Sequence, residues 1–390
     1  MLSEFIKRQR AKRDLNQCFM NAGLYLTYKN SGGRQFYTFP KIHNISFHDD
    51  CVRYTFTLRN GMDPKEVIKK EYVFLQHFGK NIEIDGDYKQ FELTIYKQGI
   101  KSKLTYDYKD IEPVIRGMAV PIVCGIDKNG EWIAYDAKIE PNNLISGEPG
   151  SGKSTQLRSI LSTLIQYKNA NELHLYLGDL KMSEFHLFKG IRHVKAVSVF
   201  PDELEKMLAK VHEEMINRSK ILNEAGVMHV DDLPKDKKIP YIMLAIDEIV
   251  MVMDNKHIKK MLIQICSLGR ALGIYTLNSL QRPSHDILDT KIRSLLTVRM
   301  GFRTTDLSNA RIIGTPGSEK ISRDVPGRFI LKRDILSEVQ APYLTDNKAK
   351  KLLERYKSNE LIETVKKETE KPKALTEDEI FSGVLNDEIN

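Results

Sequence analysis

The amino-acid sequence predicts an α/β protein: a mostly parallel sheet covered by helices on both faces, preceded by a small α+β domain. Three observations predict it. Short apolar, strand-like runs alternate with helical periodicity from about residue 112 onward. One of those runs opens into a glycine-rich phosphate-binding pattern at the head of a helix. Another ends in two adjacent acids, as expected at the carboxyl edge of an open α/β sheet.

Taken in order, residues 1–35 form a basic helical segment with Lys7, Arg8, Arg10, Lys12 and Arg13 clustered, ending at a Ser31-Gly32-Gly33 break. The small α+β domain covers 36–111. Within it Ile45–Leu58 is strand-like, Asn60-Gly61 makes a turn, and Pro64–Phe78 has a helical pattern. Ile82–Ile84 and Phe91–Tyr96 add short strands. This domain carries no catalytic constellation.

The larger domain spans 112–345. Ile122–Ile126 and Trp132–Tyr135 flank Lys128-Asn129-Gly130, a hairpin signal because Asn-Gly tolerates positive φ. Strand-like runs recur at Leu144–Ile145, Leu173–Leu177, Val194–Val199, Tyr241–Ile246, Ile274–Leu277 and Leu295–Met300. Helical patterns lie between most of them, at 154–167, 202–224 and 256–271. That alternation is the signature of parallel strands joined by crossover helices. Residues 346–390 form a charged tail, helical at most to about 368 and disordered beyond.

Composition narrows the class of protein. The four cysteines (Cys18, Cys51, Cys124, Cys266) are widely spaced with no CxxC pair, against a zinc site or a disulfide framework and in keeping with a reducing cytosol. The most apolar stretch, Tyr241–Met253, contains Asp247 and Glu248 and is too short to span a bilayer. No signal-peptide pattern opens the chain, so the expectation is a cytoplasmic protein whose basic start is available to a partner or to an anionic membrane surface. The net charge of +8 fits a polyanionic partner as well as it fits a lysine-rich solvated surface.

Gly147-Glu148-Pro149-Gly150-Ser151-Gly152-Lys153-Ser154, followed by Thr155, fits the P-loop pattern G-x-x-x-x-G-K-[ST]. Its glycines turn successive backbone N–H groups inward around phosphate, and the following helix adds its positive end. Lys153 is expected on the β- and γ-phosphates of ATP, and the Ser154 hydroxyl on Mg²⁺. Asp247, closing a buried strand, is placed to order Mg²⁺ through water; Glu248 is placed to orient or deprotonate the attacking water. Paired acids favour hydrolysis over transfer to a small acceptor, hence an ATP hydrolase. Gln281, after the neighbouring strand, is the candidate γ-phosphate sensor.

These motifs, in this order, resemble the FtsK/SpoIIIE family of DNA translocases over roughly residues 112–335. The matching stretches are Pro121–Gly125 with its hairpin, the P-loop, GDLKMSEF at 178–185, EEMINRSKIL at 213–222, MLAIDEIV at 243–250, GRALGIYTLNSLQRP at 269–283, and 299–321 with the Pro326-Gly327-Arg328-Phe329 turn. Two stretches depart from the family pattern: Asn278-Ser279-Leu280 stands where Ala-Thr is usual, and Asp179-Leu180-Lys181 where division-type members have Asp-Pro-Lys.

The resemblance implies a RecA-like P-loop NTPase domain, a homohexameric ring on double-stranded DNA, and ATP at each subunit interface. It also implies an arginine supplied in trans, with Arg218, Arg303 and Arg311 as candidates. Lys181, Lys320, Arg323 and Arg328 are the candidate contacts to DNA phosphates, which position a duplex without reading its bases. Compact members with a lone motor resemble those of mobile elements, which implies a role in conjugative transfer or replication. The alternatives are a coupling ATPase that docks a relaxase or replication proteins, and a protein-translocating secretion ATPase of the same superfamily.

Overall fold

The structure, a computed structural model, describes residues 2–29, 33–48, 51–79, 81–97, 99–283 and 290–358. Ser31-Gly32 of the expected break, and the tail after 358, lie outside these residues. The chain divides into two compact units, residues 1–101 with 126–131, and residues 102–125 with 132 onward.

The first unit comprises α1 (Leu2–Ala22), a ribbon of β1 (Leu26–Lys29) and β2 (Gln35–Thr38), then β3 (Lys41–Phe47), β4 (Cys51–Thr57), α2 (Pro64–Lys69), α3 (Glu71–Phe78), β5 (Ile82–Asp85) and β6 (Gln90–Tyr96). Its four-stranded sheet has the order β3-β4-β6-β5, all antiparallel. Leu15, Cys18 and Phe19 of α1 enter the core against Phe56 and Phe74, so the basic segment is the outer face of a packed helix. The run Ile45–Leu58 is two strands rather than one. Pro64–Phe78 is likewise two helices, divided at Lys70, and Asp63 caps the first by accepting from Lys65 N–H.

The second unit comprises β7 (Leu104–Thr105), α4 (Tyr108–Ile115), β8 (Pro121–Ile126), β9 (Trp132–Asp136), β10 (Asn142–Ser146), α5 (Lys153–Tyr167), β11 (Leu173–Asp179) and β12 (Val194–Ser198). After these come α6 (Pro201–Ala225), β13 (Tyr241–Asp247), α7 (Lys256–Leu268), β14 (Ile274–Leu280), α8 (Thr290–Leu295) and β15 (Val298–Phe302). The unit closes with α9 (Leu307–Ile313), β16 (Arg328–Lys332), β17 (Leu336–Gln340), β18 (Pro342–Tyr343) and α10 (Asp346–Leu353).

Its main sheet has ten strands in the order β12-β11-β13-β14-β10-β15-β16-β17-β8-β9. The first six run parallel, and β15-β16-β17 continue antiparallel. Strands buried on both faces read as continuous apolar runs, and β13 shows why. Met243 and Ala245 face a core shared with α5, while Ile242, Leu244 and Ile246 face another built by α6 and α7. This is the α/β fold expected from the sequence, with one addition. The sequence reading has no strand after Met300, because β16 and β17 carry Arg328, Lys332 and Glu338, which mask their apolar alternation. No helix among the described residues is long and apolar enough to cross a membrane.

Candidate nucleotide site

β10 is buried along its whole length and lies between β14 and β15, all three parallel, so it delivers the chain to Gly147 at the carboxyl edge of the sheet. Two of the glycines that follow are required sterically. A Cβ on Gly147 would lie 2.5 Å from the Cβ of Phe302. Gly152 has φ +109°, and a Cβ there would lie 2.5 Å from the Gly327 nitrogen. The Gly327 N–H donates to the Ser151 carbonyl at 2.8 Å, which ties the P-loop to the turn before β16. α5 begins at Lys153 and points its free N-terminal amides at this loop.

Three residues from three elements meet here. The Lys153 ammonium lies 2.5 Å from Asp247 Oδ1 and 3.1 Å from Ser279 Oγ, and the Ser279 hydroxyl donates to the same Oδ1. Lys153 is 4% exposed and Asp247 1%, so the pair is withdrawn from water. Asp247 Oδ2 is buried with no partner among the described residues. Glu248 follows at once, with a left-handed backbone (φ 56°, ψ 54°) that is rare for a non-glycine residue. Its carboxylate accepts from Lys181 at 2.7 Å and from the Gln281 N–H at 3.1 Å. Lys153, Ser154, Asp247, Glu248 and Gln281, separated by up to 128 positions in the chain, thus occupy one edge of one sheet.

The sequence reading gave no role to Glu184 or Ser279. Asp179, closing β11, accepts the backbone N–H groups of Ser183, Glu184 and Phe185 and so folds that loop over the site. The Ser154 hydroxyl donates to the Glu184 carboxylate. Burial raises the Glu184 carboxyl above its ordinary pKa and the charge of Asp247 adds to this, while the bond from Ser154 opposes it. The signal for both residues was their place in family stretches, but nothing local says what either side chain touches.

Three of the expected residues have partners within the chain. Arg218 is 1% exposed, and its guanidinium donates to the carbonyls of Leu272 (2.8 Å) and Pro240 (2.7 Å) and to Glu214 (2.9 Å). Every face of it is taken, so it cannot reach a neighbouring subunit. Lys181 is engaged by Glu248 at the nucleotide site, which gives its charge a partner within the chain. Arg328 is buried, bonded to Gln340 at 3.0 Å and Glu338 at 2.8 Å, and does not present a cation to DNA.

Arg303 lies on the P-loop of its own chain, 2.5 Å from Glu148, whose carboxylate also accepts from Thr305 at 2.7 Å. Arg311 on α9 is exposed, as are Lys320 and Arg323.

Beside the P-loop is a cavity of about 330 Å³. One wall is Glu148–Gly150 and Gly152–Thr155, with Gln281. The rest of its lining is Pro326, Gly327, Ala341, Pro342 and Tyr343.

The sequence model of the FtsK/SpoIIIE family matches residues 115–285. The DNA translocase FtsK of Tropheryma whipplei (strain TW08/27) is 26% identical over 268 residues, covering 64% of this chain and 36% of its own length. The DNA translocase FtsK of Corynebacterium glutamicum is 30% identical over 217 residues, covering 50% of this chain and 24% of its own length. The chain therefore spans about a quarter to a third of the length of these curated relatives.

Among solved structures, the pCW3 conjugation coupling protein TcpA, a monomer form with ATPγS, aligns with a TM-score of 0.60 at 24% identity, covering 88% of this chain and 99% of that one. EssC (ATPases 2 and 3) from Geobacillus thermodenitrificans aligns with a TM-score of 0.58 at 21% identity, covering 71% and 54%. These two likenesses establish the fold, that of a P-loop ATPase. Over residues 115–285 the chain is thus similar to the FtsK/SpoIIIE family, and the relatives named above are DNA translocases of that kind.

Proposed function

We propose that this chain is an ATP-driven motor on double-stranded DNA, serving the transfer or replication of a mobile element. The observation that carries the reading is the ion pair of Lys153 with Asp247, and the hydrogen bond from the Gln281 N–H to Glu248, at the sheet edge where Lys153, Ser154 and Gln281 line one cavity. Lys153 is positioned for the phosphates of ATP, the two acids for hydrolysis. The relatives named as DNA translocases, and the likeness to a conjugation coupling protein, support a DNA substrate and a transfer role.

The residues fit Mg²⁺. Asp247 Oδ2 is a buried carboxylate oxygen with no partner among the described residues, and Ser154 offers a hydroxyl; a hard divalent cation takes such oxygens together with substrate phosphates rather than a dedicated protein cage. When bound, the cation neutralises charge developing on the transferred phosphoryl group. Glu248 orients the attacking water and takes its proton, and the buried ammonium of Lys153 holds the γ-phosphate side in place.

In this reading the subunits form a hexameric ring, Arg311 or Arg303 serves the neighbouring site, and Lys320 and Arg323 touch DNA phosphates. Arg311 is the better placed of the two arginines, because Arg303 must first leave Glu148.

The test is the ATPase rate with duplex DNA, with single-stranded DNA and with none, using Glu248→Gln as control. Duplex DNA is expected to stimulate turnover, with the stimulation falling as salt rises. Glu248→Gln is expected to bind ATP without turning it over. A rate indifferent to DNA at low salt would overturn the DNA motor, and binding of a secreted helical protein in its place would favour the secretion reading.

A further inference from the structure

The P-loop side of the cavity is shaped for phosphate; the residues between Pro326 and Tyr343 that complete its lining have no assigned role. We propose that Tyr343, flanked by Pro326 and Pro342, is the shelf on which the base of the nucleotide stacks. The proposal rests on the ATPase reading and specifies how that site holds its ligand.

The wall is held rigidly. The Ala341 N–H donates to the Gly327 carbonyl at 2.8 Å, and the Gln340 side chain donates to the Pro326 carbonyl at 3.0 Å. β18 pairs in parallel with β7, and the Tyr343 carbonyl accepts from the Tyr106 N–H at 3.1 Å. Ala341 and Leu344, on either side of the pair, are buried at 2% and 0%, yet Tyr343 is 59% exposed. An aromatic ring is therefore kept in solvent at the cavity edge by a backbone that cannot relax to bury it. Proline supplies no N–H, and the carbonyls of Pro326, Gly327 and Tyr343 already have donors. The wall thus presents apolar faces and an aromatic ring rather than a set of hydrogen-bond readers.

The P-loop lines the same cavity and fixes the phosphates, so the remainder of a nucleotide held there has these residues, Tyr343 among them, as its surroundings. Stacking is tolerant of base identity, because every base has a π-face, and larger bases gain more. The site is accordingly a purine-favouring one with little discrimination between adenine and guanine.

The experiment compares the full-length wild type with Tyr343→Ala and Tyr343→Phe, in the presence of Mg²⁺, for binding of ATPγS and of inorganic tripolyphosphate by calorimetry. Removing a stacking ring is expected to weaken ATPγS binding roughly 5- to 150-fold. Tripolyphosphate binding is expected to stay unchanged, and Tyr343→Phe to bind ATPγS like the wild type. Equal ATPγS affinity in Tyr343→Ala and wild type would overturn the shelf. So would an equal loss for both ligands, since that marks a ring that merely supports the P-loop. Failure of the wild type itself to bind either ligand would overturn the ATPase reading, and the shelf with it.

Discussion

Lys181 donates to the carboxylate of Glu248 across 2.7 Å, and Glu248 receives it from a left-handed backbone with φ 56° and ψ 54°. A non-glycine residue in that region carries roughly 1–3 kcal/mol of strain, which persists only where the surroundings over-determine it. Here the surroundings are Lys181 on one side and the Gln281 N–H on the other. The carboxylate is aimed rather than free.

Lys181→Ala should therefore lower kcat about 10- to 100-fold, through misplacement of the Glu248 carboxylate, with KM for ATP changed less than about twofold. Affinity for DNA, read by mobility shift, should not change. A variant with normal kcat and weakened DNA binding would return Lys181 to the DNA surface.

Arg218→Met should unfold more readily, because it leaves the carbonyls of Leu272 and Pro240 buried without donors. The expected loss is about 2–5 kcal/mol in urea denaturation, with ATP turnover per folded molecule close to wild type. Normal stability with abolished turnover would make Arg218 a catalytic arginine.

Glu184 makes stability depend on pH with a definite sign. Burial raises its carboxyl, so the folded chain holds that proton more tightly than the unfolded chain does. Its contribution to stability is therefore lost as pH rises from the ordinary glutamate range through the raised folded value, and is fully lost above it. Glu184→Gln removes the effect while keeping an acceptor for Ser154. Without nucleotide or metal, its melting temperature should match wild type near about pH 4 and exceed it near about pH 7. A gap that is widest in acid and closes at neutrality would refute the raised carboxyl.

Two glycine substitutions separate strain from crowding. Gly130 has φ +79° with open space around its missing Cβ, so Gly130→Ala should cost about 1–2 kcal/mol of stability and leave nucleotide binding intact. Gly152 combines φ +109° with a Gly327 nitrogen only 2.5 Å from where an alanine methyl would stand, so Gly152→Ala should displace the P-loop and abolish ATPγS binding. Retained binding in Gly152→Ala would mean that the contact with Gly327 yields easily.

Much of this was legible in the sequence because it is encoded within a few neighbouring residues. The continuous apolar run of β13 announces a strand buried on both faces, and the glycines of 147–152 announce a phosphate cradle whatever surrounds them. The Asp247-Glu248 pair marks the carboxyl edge of a sheet by the same local logic.

The tertiary structure alone decided which partners those side chains find. Arg218, Arg303 and Arg311 look alike in a charged helix or loop; burial under β13 and β14, a P-loop carboxylate and open solvent tell them apart only once the sheet is assembled. Glu184 and Ser279 met the P-loop because β11, β13, β14 and β10 lie side by side, an order that no local pattern records. The physical reason is the same throughout: periodicity and turn chemistry act over a few residues, whereas a charge in a low-dielectric interior is defined by whatever the fold brings against it.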